Sequence, residues 1–69
     1  MDSQKSIRVD DASATLTYVG DAAIGLSESA AFWRIKRLQT TGSVLKITWA
    51  DGNELYDNIW ADRASLTYS

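Results

Sequence analysis

Between residues 32 and 49 the side chains alternate with a period of two. Trp33, Ile35 and Arg37 share one side, and Phe32, Arg34, Lys36 and Leu38 share the other. After a break at Gly42, Leu45, Ile47 and Trp49 oppose Val44, Lys46 and Thr48. Successive side chains of a strand point to opposite faces, so this rhythm belongs to β-structure. Nowhere do apolar residues recur at i, i+3, i+4 and i+7 over three turns. With no proline, chain breaks fall at Gly20, Gly25, Gly42 and Gly52. The Val-, Ile-, Thr-, Trp- and Tyr-rich stretches at 7–9, 14–19, 32–39, 44–49, 55–60 and 66–68 are the expected strands. The expected fold is all-β, a small single-domain barrel or sandwich of about five to six short antiparallel strands. It spans residues 1–69, with a polar N-terminal arm at 1–6 and a long loop of small and polar residues at 20–31. So long a loop in so small a domain is either a wide crossover or a functional segment that orders on a partner.

Turn chemistry sets the expected register. Asp51-Gly52 is a strong two-residue hairpin signal and requires positive φ at Gly52. As a two-residue loop it sets Ile47 opposite Tyr56, Lys46 opposite Asp57 and Val44 opposite Ile59. At the preceding turn, a three-residue loop over 41–43 sets Ile35 opposite Trp49, whereas a two-residue loop that opposes Arg37 and Lys46 brings like charges together. The resulting inner face is Trp33, Ile35, Leu45, Ile47, Trp49 and Tyr56, with Arg34, Lys36, Lys46, Thr48 and Asp57 outside.

Composition narrows the chemistry. The chain has no cysteine and no histidine, which removes disulfides, thiolate zinc sites and the commonest general base and metal ligand. Eight serines and six threonines lack a histidine partner and a G-x-S-x-G elbow. A chain of 69 residues hardly builds the cleft that paired carboxylates need. Catalysis is therefore not expected, nor is a cofactor. The acidic run Asp51, Asn53, Glu54, Asp57, Asn58 and Asp62 lacks the ligand rhythm of a calcium loop and reads as solvated turns. The basic run Arg34, Lys36, Arg37 and Lys46 lies beside Phe32 and Trp33, a loose imitation of a single-strand nucleic-acid platform. Alternation splits it between two faces, and a net charge of −2 argues against a nucleic-acid partner. No apolar run reaches membrane-spanning length, and the polar first residues lack a signal peptide's apolar stretch. Folding is thus expected in a cytosol.

Nine alanines and Met1 set aside, 21 large apolar residues remain for the short strands. They cannot all point into one small core, so some must lie outside it and mark an interaction surface. The candidates are Ile24 and Leu26 in the long loop, Phe32, and Trp60 at the end of its strand. Trp33 and Trp49 are expected in the core.

One resemblance covers residues 5–69. Thr17-Tyr18-Val19-Gly20, Asp21-Ala22-Ala23-Ile24-Gly25, Phe32-Trp33-Arg34-Ile35-Lys36-Arg37, Trp49-Ala50-Asp51-Gly52-Asn53, Tyr56-Asp57-Asn58-Ile59-Trp60 and Arg63-Ala64-Ser65-Leu66 carry it. Together they resemble short, mostly uncharacterised proteins encoded by tailed bacteriophages. The resemblance implies a virion structural role, such as a decoration, neck or tail component, and transfers no functional residue. The expected partners are itself, as a homo-oligomer, or a larger virion protein on which it docks. The expected location is the virion, after folding in the host cytoplasm. The competing expectation is a phage-encoded binding protein that modulates a host factor or single-stranded nucleic acid.

Overall fold

A computed structural model describes residues 5–69. Of the expected arm at 1–6, residues 1–4 lie outside the described residues, and Lys5 and Ser6 already belong to the first strand. Four strands run β1 (Lys5–Ser13), β2 (Leu16–Ala23), β3 (Arg34–Thr41) and β4 (Val44–Trp49), followed by a 3-10 helix at Trp60–Ser65. They form one antiparallel meander in the order β1-β2-β3-β4. The protein is thus mostly β and only 9% helical, in one open sheet. The expected fifth and sixth strands survive as two isolated bridges, Trp33 with Asn58 and Ala50 with Tyr68. Closure into a barrel or sandwich is not confirmed.

The β3–β4 turn departs from the expected register. Thr41 pairs with Val44, leaving Gly42-Ser43 as a two-residue loop. Gly42 has φ 62° while Ser43 keeps a negative φ, the pattern of a type II′ turn. Lys36 therefore faces Trp49, and Arg37 faces Thr48, so neither Ile35–Trp49 nor Arg37–Lys46 forms. A one-residue slip moves a whole strand's side chains to the other face of the sheet. Here it transfers Leu45, Ile47 and Trp49 away from Ile35.

At Asp51-Gly52 the local geometry is as expected and its consequence is not. Asp51 has φ 60° and Gly52 φ 71°. The Gly52 amide donates to the Trp49 carbonyl at 3.0 Å, and the Asn53 amide to that of Ala50 at 3.4 Å. Yet the chain after the turn does not return along β4. Trp49 instead exchanges two 3.1 Å backbone bonds with Ser69, and the Asp51 amide donates to Thr67 at 2.8 Å. The expected pairs Ile47–Tyr56, Lys46–Asp57 and Val44–Ile59 are replaced: Lys46 lies opposite Gln39, Ile47 opposite Leu38 and Val44 opposite Thr41. Gly52→Val is expected to cost about 1–2 kcal/mol, because a β-branched residue is strained at this φ. Its Cβ would also meet the Ser69 hydroxyl at 2.7 Å. Urea titration checks this, and an unchanged midpoint would contradict it.

One face of the sheet is covered. Tyr18, Ala22 and Ile35 project from it and join Trp33, Ala50 and Trp60 in the core. The indole rings of Trp33 and Trp60 pack at 5.9 Å between centroids, tilted by 36°. Trp60 lies over Gly20, in the space a side chain there would occupy. Trp60 was expected outside the core and is only 4% exposed. The hydrogen of Gly20 makes room for it, a fit invisible from the Trp60 neighbourhood of the sequence. The connection between β2 and β3 is tied onto the same core. The Trp33 indole N–H donates to the Ser27 carbonyl at 2.9 Å, and the Ala61 amide to that of Glu28 at 2.9 Å. Asn58, the buried polar residue among the described residues, exchanges backbone hydrogen bonds of 2.9 and 3.0 Å with Trp33. Buried backbone groups need such partners, and this pair anchors the C-terminal cover to the sheet.

The cover ends on Tyr68, which packs against Tyr18 at 5.7 Å and donates its hydroxyl to the Arg63 carbonyl at 2.8 Å. Arg63 in turn donates to Asp10 of β1 at 2.9 Å. Burial, with smaller help from Tyr18, pushes the Tyr68 phenol up to about 12 against the opposing pull of Arg37 and Arg63. The ordinary phenol ionises near 10. Above that pH the unfolded chain loses this proton while the folded chain keeps it. The contribution is therefore complete below pH 10 and lost as pH rises toward 12. Tyr68→Phe is expected to flatten part of the alkaline fall in melting temperature. Identical alkaline limbs for the two proteins would contradict it.

Candidate interaction surface

The opposite face of the sheet is open. Ladder pairing arranges its side chains in rows across the strands. Ile7, Asp21 and Arg34 form one row; Val9, Val19, Lys36 and Trp49 the next; Asp11, Thr17, Leu38 and Ile47 a third. Leu45 lies beyond, opposite Thr40. Ile7, Val9, Leu45 and Ile47 are each more than half exposed. β-branched and large aliphatic residues at alternate positions ordinarily mark a buried sheet face. Here they span all four strands without a covering layer among the described residues.

One end of this face is polar. Arg34 reaches across from β3 to β2 and grips Asp21 with two hydrogen bonds, Nε to Oδ1 at 3.2 Å and Nη2 to Oδ2 at 3.4 Å. The Tyr56 hydroxyl donates to the same Oδ2 at 2.8 Å. The Arg34 guanidinium sits 4.9 Å from the Tyr56 ring and 5.5 Å from the Trp49 ring. The hydrogen bond to Asp21 holds Arg34 above its ordinary pKa, and the same carboxylate opposes ionisation of Tyr56. Lys36 adds a second cation 5.6 Å from Trp49. This end is an aromatic and charged rim beside an apolar floor, the usual anatomy of a docking surface.

The residues nominated from sequence scatter. Ile24 and Phe32 are exposed, at opposite ends of the β2–β3 connection. Leu26 is half-buried and packs on the core, and Trp60 belongs to the core itself. The open face was missed because the three-residue turn placed Leu45, Ile47 and Trp49 inside. Gly42-Ser43 held the missing signal, since glycine at the first position of a two-residue loop favours the II′ turn.

The basic residues divide between the two sides. Arg34 and Lys36 stand on the open face, Arg37 and Lys46 on the other. The three ion pairs among the described residues are Arg8–Glu28, Arg34–Asp21 and Arg63–Asp10, so Lys46 and Asp57 are not joined. A shallow hollow of about 290 Å³ lined by Ala61, Asp62, Ala64 and Ser65 holds no convergent reactive groups. No helix of the described residues is long and apolar enough to cross a membrane. No family model, curated protein or solved structure matches this chain.

Proposed function

We propose that this chain is a non-enzymatic assembly protein that works by docking the open face of its sheet. The observation that carries this reading is one sheet face on which the outer strands expose Ile7 and Val9 of β1 and Leu45 and Ile47 of β4, bridged by the half-buried Val19 of β2 and Leu38 of β3. Exposed apolar surface of that extent marks protein interaction sites. The sheet, its covered core and the loop hydrogen-bonded to that core form the platform for it. The resemblance to short tailed-phage proteins supports a virion as the larger structure, with this protein as a decoration, neck or tail component. It folds in the host cytoplasm before joining the particle. Ile24 and Phe32, exposed at the ends of the β2–β3 connection, are secondary contacts of the docked subunit.

Quantitative mass spectrometry of purified particles tests the reading. A fixed copy number per particle is the expected result, with incorporation lost in Ile47→Glu. Absence of the protein from particles would overturn it in favour of a modulator of a host factor.

A further inference from the structure

We infer that the occupant of the open face is a second copy of this chain, the two sheets packing face to face into a two-layer sandwich. This inference rests on the reading of that face as a docking surface and commits it to one partner. Three observations carry it.

The first is area. Strands lie about 4.8 Å apart and rise about 3.3 Å per residue, so four strands of this length present a face of about 500 Å². Two such faces bury about 1,000 Å², the size at which a specific interface begins. The second is chemistry. The floor built from Ile7, Val9, Val19, Leu38, Leu45 and Ile47 is what the inner face of a β-sandwich contains.

The third is charge. Besides the internally paired Arg34 and Asp21, and Lys5, which stacks on the Tyr56 ring at the rim, the floor carries Lys36 on β3 and Asp11 on β1. Neither is in an ion pair among the described residues, and Asp11 accepts a hydrogen bond from the neighbouring Thr17 hydroxyl at 3.4 Å. Lys36 and Asp11 occupy adjacent rows, two strands apart. Burying either charge without a counter-charge is costly. A two-fold axis in the plane between the sheets, perpendicular to the Lys36–Asp11 diagonal at its midpoint, brings each Lys36 onto the second copy's Asp11. The face is therefore self-complementary in sign, as an isologous interface requires.

Sedimentation equilibrium of the purified full chain, over roughly 1 µM to 1 mM, tests this. The expected species is a dimer. Ile47→Glu and Val9→Glu, at positions exposed in the single chain, are each expected to raise the dissociation constant about 100-fold or more while circular dichroism stays unchanged. Val44→Glu is the control: Val44 is equally exposed but on the other face, and its substitution leaves the dimer intact. Lys36→Glu weakens association about tenfold, and adding Asp11→Lys restores it. A wild-type monomer across the range overturns the inference, as does a dimer that Ile47→Glu leaves unchanged. Equal disruption by Val44→Glu also overturns it, because that pattern belongs to edge-to-edge pairing of β4. A monomer that is still incorporated into particles through Ile47 overturns the dimer alone. A dimer absent from particles overturns the virion reading alone.

Discussion

Trp33→Ala is expected to leave the chain largely unfolded at room temperature. Trp33 is fully buried, and three parts of the molecule meet on it. Its indole N–H holds the β2–β3 connection through Ser27, its backbone pairs with Asn58, and its ring packs against Trp60. The Arg8 guanidinium lies 5.5 Å from the same ring, joining β1 to the assembly. Truncating a buried tryptophan costs about 3–5 kcal/mol. A chain of this length is stable by roughly 3–10 kcal/mol in total. The loss thus consumes most of the stability, and the core has few other large side chains to share it. Circular dichroism and urea titration read the outcome directly. Trp33→Phe separates the causes: it keeps most of the apolar surface, removes the bond to Ser27, and is expected to lose less. A loss below about 1 kcal/mol for Trp33→Ala would show that the core does not depend on this ring.

Gly20→Ala is the second large effect, and it comes from a single added methyl group. A Cβ at Gly20 would lie 2.5 Å from Trp60 Cε3 and 2.7 Å from Cζ3. Both are atoms of a rigid ring that is itself buried, so the clash cannot be relieved by rotating a flexible tip. Either the Trp60 ring leaves the core or the cover lifts from the sheet. Overpacking of this kind costs about 1–3 kcal/mol, and the upper end applies here because the obstacle is an indole. Backbone strain plays no part, since Gly20, unlike the other three glycines, does not have a positive φ. The double variant Gly20→Ala, Trp60→Leu tests the cause. A smaller side chain above position 20 is expected to remove the clash, giving a coupling of about 1 kcal/mol or more between the two sites. Strictly additive losses would show that the two positions do not meet.

Much of the local structure is legible in the sequence, while the identity of the two faces is not. Period-two alternation locates β2, β3 and β4 to within a few residues, and Asp51-Gly52 adopts the two positive φ values that its composition demands. These are short-range properties, set by side-chain sterics and by which residues tolerate a left-handed backbone. The face on which Leu45, Ile47 and Trp49 lie depends on one residue of turn length at Gly42-Ser43. Alternation states only that two faces exist, and a single step of register exchanges them. The fate of residues 55–60 likewise lay beyond local rules. The type I′ geometry permits a hairpin, yet Trp49 takes Ser69 as its partner, and Trp60 settles over Gly20, forty residues earlier in the chain. The sequence by itself determined that this protein is built of strands and that the chain turns at Gly42 and Gly52, whereas the break expected at Gly20 falls inside β2. Only the tertiary structure decided that Trp60 is core and that the floor of Ile7, Val9, Leu45 and Ile47 faces outward. The reason is physical: burial is a competition among all apolar groups of the chain for one small volume, and its winner is chosen by fit between distant residues.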